Sequence, residues 1–202
     1  MFERFTRGAR ATVKGAVAEA ERVGAGSVTE EHLFLALLDQ KGDRASFAVA
    51  SLGLLRRRAS LEASFAEARR RGGLTKAETD ALAGIGIDVG AIVDRVEGAH
   101  GEGAHGEGAH GEGALAADRS SRRWWSGHRA FTPEAKSILE KSLRIALGRG
   151  DRFIGQEHLL LALTATPGTV ADTLAEHGVT HTAVHHALYG PEADGEGHAE
   201  AG

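Results

Sequence analysis

The sequence predicts an all-α protein, and three observations carry that prediction. Aromatic residues make up only 5% of the chain and prolines number three, while alanine, leucine, glutamate and arginine dominate. Stretches that alternate β-branched or aromatic residues with polar ones, the signature of strands, are nearly absent. The chain also lies on itself: the segment from Phe5 to Leu38 falls without a gap on Phe131 to Thr164, and both copies carry apolar residues at helical spacing.

The elements follow in order. Phe5, Ala9, Val13, Ala16, Val17 and Ala20 form one apolar stripe and predict a first helix, with Phe131, Ala135, Leu139 and Ala146 in the matching places of the second copy. Glu31-His32-Leu33 falls on Glu157-His158-Leu159, and Leu35-Ala36-Leu37 on Leu161-Ala162-Leu163. This second helix is apolar nearly all round and so predicts a central, buried position. Gly24 and Gly26, and Gly148 and Gly150, stand where a turn between the helices needs them. Thr132-Pro133-Glu134 reads as an N-cap, a proline at the first helical position and an early carboxylate, and Thr6 occupies the matching cap. Ser27 and Glu30 have capping-box spacing, without an equivalent in the second copy.

An apolar-x-x-x-Gly-apolar pattern recurs at Val49 to Leu54, Leu82 to Ile87 and Leu174 to Val179, and Gly178 is expected to end one helix before the next, Thr180 to Leu188. Which of the first two completes the first copy stays open in the sequence. Leu61 to Arg71 predicts an extra amphipathic helix with Leu61, Phe65 and Ala68 on one face. The expected organisation is a first repeat with a helical insertion over 1–96, a linker over 97–130, a second repeat over 131–190 and a tail over 191–202. The linker opens on an iterated Gly-Ala-His-Gly-Glu run without an apolar face and continues into the Arg/Trp stretch around Trp124 and Trp125.

Composition narrows the function. The formal net charge is −4 and cysteine is absent, which excludes disulfide scaffolds, thiolate metal sites and cysteine nucleophiles. The opening Met1-Phe2-Glu3-Arg4-Phe5 has no apolar core of the signal-peptide kind and no stretch approaches 18 uninterrupted apolar residues, so neither secretion nor a membrane span is expected and the expected location is the cytoplasm.

Met-Phe-Glu-Arg-Phe-Thr at the start, Glu-His-Leu-x-Leu-Ala-Leu in each copy and Phe-Thr-Pro-Glu-Ala-Lys opening the second resemble the Clp N-terminal domain. That double-repeat helical module stands at the front of Clp unfoldase ATPases of the ClpC type. The resemblance is close over 2–38 and 131–190 and looser over 39–96. It implies two pseudo-twofold-related four-helix units. No Gly-Lys dipeptide of a phosphate loop occurs in the chain, so the expectation is a stand-alone N-domain protein, as in actinobacteria, that binds without unfolding.

The resemblance also implies sites. Family members bind adaptors, substrates and, in ClpC-type proteins, phosphorylated arginine, and the family's two pseudo-equivalent sites use a threonine at the start of the first helix and the glutamate of the Glu-His pair. Those positions are Thr6 with Glu31, and Thr132 with Glu157. A carboxylate suits a guanidinium, and a capped helix start suits a phosphate. The plainer alternative is that the threonines are only caps and the glutamates only favour the helix dipole. Cyclic peptide antibiotics bind actinobacterial relatives at positions matching Phe2, Arg10, Phe131, Lys136 and Glu140; here the alternative is that both phenylalanines are core anchors.

His32 and His158 read as packed, hydrogen-bonded helix residues rather than catalysts. His177, His181 and His185 have ligand spacing but a glycine between the first two, so no metal or other cofactor is expected. No nucleophile elbow or paired-carboxylate cleft stands out, and the chain is expected to be no enzyme. The leading expectation is a binding module for Clp substrates or adaptors that modulates a Clp protease. The competing one is a structural partner docking on the Clp hexamer; membrane binding is not expected, and nucleic acid is a remote third through the Arg/Trp stretch.

Overall fold

A computed structural model describes residues 2–72, 74, 76–100 and 129–190. After a 3-10 turn at Phe2–Arg4, α1 (Arg7–Arg22) begins where the sequence places its cap, the Thr6 side chain accepting the Ala9 N–H at 3.1 Å. The equivalent α7 (Pro133–Gly148) is capped by Thr132, which accepts the Ala135 N–H at 3.2 Å. Both helices end alike: Gly24 and Gly150 take φ of +71° and +74°, conformations open to a residue without Cβ. The chain then closes back with Ala25 donating to the Ala20 carbonyl and Asp151 to that of Ala146, each at 2.9 Å.

Two short parallel contacts lock the copies together. Strand β1 (Ser27–Val28) pairs with β2 (Ala130–Phe131), and Phe5 bridges to Ile154. The entry to each copy's first helix therefore lies against the segment preceding the other copy's second helix. Those second helices, α2 (Glu30–Leu38) and α8 (Gln156–Ala165), are buried almost along their whole length and form the centre. Their all-round apolar surface is satisfied from every side, and a single continuous core runs from Phe5 through both copies to Leu188. Gly15 brings α1 close to α2, since a Cβ there would lie 3.1 Å from the Ala36 Cβ.

The outer helices settle what the sequence left open. In the first copy, α3 (Arg44–Ser51) and α4 (Arg58–Arg70) follow α2; in the second, α9 (Thr169–Glu176) and α10 (His181–Tyr189) follow α8. Helix α4 packs on α9 as α10 packs on α3. The pattern at Val49 to Leu54 thus completes the first copy, its Leu54 N–H meeting the Val49 carbonyl at 3.0 Å as Val179 meets Leu174 at 2.8 Å. The helix at Leu61 to Arg71 is therefore the counterpart of α10 rather than an addition. The added pair is α5 (Lys76–Gly84) and α6 (Val89–His100), which pack on each other. Leu61, Phe65 and Ala68 form the buried face of α4 as their spacing predicts, with the Phe65 ring edge-on to Phe34 at 5.9 Å.

Helix α6 continues to His100, so the first residues expected of the linker are helical. The remainder of that run, the Trp124-Trp125 stretch and the tail beyond Gly190 lie outside the described residues. Among the described residues, no helix is long and apolar enough to cross a membrane.

Candidate functional site

The pseudo-twofold seam decides how the candidate residues combine. Thr6 donates its backbone N–H to the Ile154 carbonyl at 2.9 Å, just before Glu157, and Thr132 donates to the Val28 carbonyl at 2.9 Å, just before Glu31. The structure therefore sets Thr6 beside the Glu157 helix start and Thr132 beside that of Glu31, crossing the within-copy pairs expected from sequence. Sequence-local reasoning could not have crossed them, because the exchange is made by bridges between distant segments.

Behind each glutamate stands a histidine in a capping role. His32 Nδ1 accepts the Thr29 N–H at 3.0 Å, and His158 Nδ1 accepts the Gly155 N–H at 2.9 Å. Each imidazole takes the place that glutamate holds in the common capping box, and each is buried. His158 is fastened further by its Nε2, 3.0 Å from the Asp151 carboxylate. Burial pushes the His32 imidazole pKa down from its ordinary value. Thr29-x-x-His32 was the signal in the sequence; Ser27 and Glu30 form no such box.

The two glutamates differ. Glu31 is only 7% exposed and receives a charge-assisted hydrogen bond from Arg69 Nη1 of α4. Burial raises the Glu31 carboxyl pKa to about 7, with neighbouring Glu30 adding to the rise and Arg69 opposing it. The pair lines a cleft of about 710 Å³ between the α1–β1 turn and α4. Leu35 and Phe65 give the cleft apolar wall, and Glu19, Arg22, His32 and Glu62 add polar groups. Glu19 is held by Arg22 and Glu62 by Arg58, both within hydrogen-bonding distance. Glu157 is half-buried, its carboxylate folded back over Gly155 and 3.7 Å from His158 Nδ1. Among the described residues no arginine is seated on it. Nearby, Arg149 stacks 3.5 Å above the Tyr189 ring.

The expected cyclic-peptide positions are more scattered. Arg10 on α1 and Lys136 on α7 are exposed and occupy equivalent places in the two copies. Glu140 is exposed one turn beyond Lys136, with Arg144 at 3.5 Å. No hydrogen bond or ion pair joins Arg10 to Lys136 or Glu140 among the described residues. Phe131 is half-buried in β2 and packs against the core, as an anchor does. Phe2 belongs to the opening 3-10 turn, and its side chain lies outside the described residues.

Two of the three spaced histidines join helices. His177 Nε2 is 3.1 Å from Ser64 Oγ of α4, and His181 Nδ1 is 3.1 Å from Thr164 Oγ1 of α8. His185 lies against the Tyr189 ring at 5.1 Å. No cluster of three metal-ligating side chains occurs among the described residues.

This architecture is that of Clp-type N-terminal domains. It superposes on the crystal structure of the N-terminal domain of the caseinolytic protease associated chaperone ClpD from Arabidopsis thaliana with a TM-score of 0.50 and 18% identity, over 93% of this chain and 96% of that one. The Hsp104 N-terminal domain from Candida albicans gives a weaker likeness, with a TM-score of 0.46 and 16% identity over 92% and 89% of the two chains, and nothing further rests on it. Residues 130–199 match the family model of the Clp repeat (R) N-terminal domain. The chain thus has the all-α double Clp repeat, with the family signature in its second copy.

Proposed function

We propose that the chain is a non-catalytic binding module that takes protein substrates or adaptors of a Clp protease and modulates that protease by competition or sequestration. The observation that carries this reading is the duplicated seam, where a threonine-capped helix start in one copy backs onto a glutamate-bearing helix start in the other. Such a seam offers a positive helix end and a carboxylate side by side, which suits an arginine-derived side chain and, above all, phosphoarginine. Thr6 with Glu157 and Thr132 with Glu31 are the residues we assign to it. Phe2, Arg10, Phe131, Lys136 and Glu140 are assigned to cyclic peptide ligands.

Calorimetric titration with a synthetic peptide carrying one phosphoarginine tests the reading, with the same peptide carrying phosphoserine as control. Binding of the first alone supports it, and equal heats for both overturn the assigned chemistry. A second reading, docking on the Clp ATPase hexamer, draws on exposed Phe47 and Phe153, which are 70% and 58% accessible. Recovery of the ATPase without its degradation substrates in a pull-down favours that alternative.

A further inference from the structure

The two seam glutamates are equivalent by sequence but not by surroundings. Arg69 Nη1 is hydrogen-bonded to Glu31, whereas Glu157 carries no arginine among the described residues. The asymmetry has a simple structural source. Helix α4 runs for 13 residues and its counterpart α10 for 9, and Arg69 stands on the last turn of the longer helix.

Three features make Arg69 look like a seated ligand rather than a strut. Its side chain is 60% exposed although the carboxylate it meets is buried, so the guanidinium reaches Glu31 from the solvent side. That bond is its single side-chain partner among the described residues. Helix α4 is also held by its apolar face, where Leu61, Phe65 and Ala68 are buried. The other two carboxylates of the cleft, Glu19 and Glu62, are held by arginines other than Arg69. Of these three carboxylates Glu31 is the buried one, and its exposed cation can pass to water at small cost when another arginine-type group takes its place on the carboxylate.

We propose that Arg69 is a built-in occupant of the first copy's carboxylate, so that an arginine-type side chain binds at Glu157 directly but at Glu31 only by displacing Arg69. This rests on the functional reading above and adds its regulation: the protein has one open and one self-occupied site. Whatever draws Arg69 away opens the second site, and a ligand presenting two arginine-derived side chains gains it more readily than one presenting a single group, because the second displacement is intramolecular.

The test uses the full chain and the phosphoarginine peptide. The expected stoichiometry is one peptide for the native protein and two for R69A, returning to one in R69A/E31Q. At the Glu31 site, removing the competitor should tighten binding about ten- to a hundredfold, the range of one charge-assisted hydrogen bond. E157Q in the native background should leave only the weak, occluded site. Circular dichroism first establishes that each variant is folded. Two equal sites in the native protein overturn the proposal, as does a single E157Q-sensitive site in R69A. Absence of binding in every folded variant overturns the functional reading and this inference together, an outcome distinct from either.

Discussion

The Gln156 side-chain carbonyl accepts the Thr12 hydroxyl at 3.0 Å, a buried hydrogen bond between residues 144 positions apart, while its amide nitrogen donates to Asp43 Oδ1 at 3.2 Å. The Thr12 bond fastens the start of α8 to the middle of α1, directly across the seam. Gly8 makes the approach feasible, because a Cβ there would stand 2.9 Å from the end of the Gln156 side chain. Replacing Thr12 by valine keeps the volume but leaves the Gln156 side-chain carbonyl without this donor. T12V should cost about 1–3 kcal/mol, measured as a lowered urea midpoint at unchanged slope, with T12S close to native. A native midpoint in T12V would mean the Gln156 carbonyl finds another partner.

Gly15 gives the second prediction. The α1–α2 crossing leaves room for no more than a strained methyl beside Ala36. G15A trades a helix-propensity gain near 1 kcal/mol against that contact and should change the melting temperature little. G15V adds branching where the helices already touch and should destabilise by about 1–3 kcal/mol in thermal unfolding.

Glu31 links stability to pH. Its folded-state carboxyl pKa is raised to about 7, above the ordinary 4.5, so the native protein holds a proton that the unfolded chain releases. Stability from this group is present below about pH 4.5 and is lost as pH rises towards 7. E31Q cannot titrate there. The stability of the native protein relative to E31Q should therefore fall by roughly 3 kcal/mol between acid and pH 8, read by denaturant titration at several pH values. The depressed His32 pKa acts in the opposite sense at acid pH, and is present in both proteins. A difference that does not vary with pH would refute the assignment.

The capping histidines should be unequal. His158 is wholly buried and bonded through both ring nitrogens, whereas His32 borders the open cleft. H158A should cost about 2–4 kcal/mol, from the lost cap, the orphaned Gly155 N–H and the cavity. H32A should cost less, since water can reach the Thr29 N–H. Equal losses in chemical denaturation would show that burial does not separate the two boxes.

Much of this arrangement was legible in the sequence. The stripes of α1 and α7, the apolar α2 and α8 and the threonine caps follow from helical spacing and from the chain's likeness to itself. The correspondence of α4 with α10 was not legible, because Leu61 to Arg70 and His181 to Tyr189 share a position in the fold but hardly any residues. The histidine boxes were not legible because His32 and His158 stand at the position where a capping box commonly carries glutamate or glutamine. The Glu31–Arg69 pair spans 38 positions and two helices, so no local pattern announces it. The crossing of the threonine and glutamate partners belongs to the same class, being fixed by tertiary bridges alone.

The exchanged contacts, Phe5 with Ile154 and β1 with β2, α4 on α9 and α10 on α3, have a consequence for the chain's integrity. Each half covers part of the other's apolar surface, so the molecule is in effect a dimer whose subunits share one polypeptide. A cut within residues 101–128 would then separate the covalent halves without separating the core. The fragments should associate into a heterodimer with the parent's outline, each alone leaving the apolar flanks of its central helix exposed. Joining them converts that association into an intramolecular event, so stability ceases to depend on protein concentration.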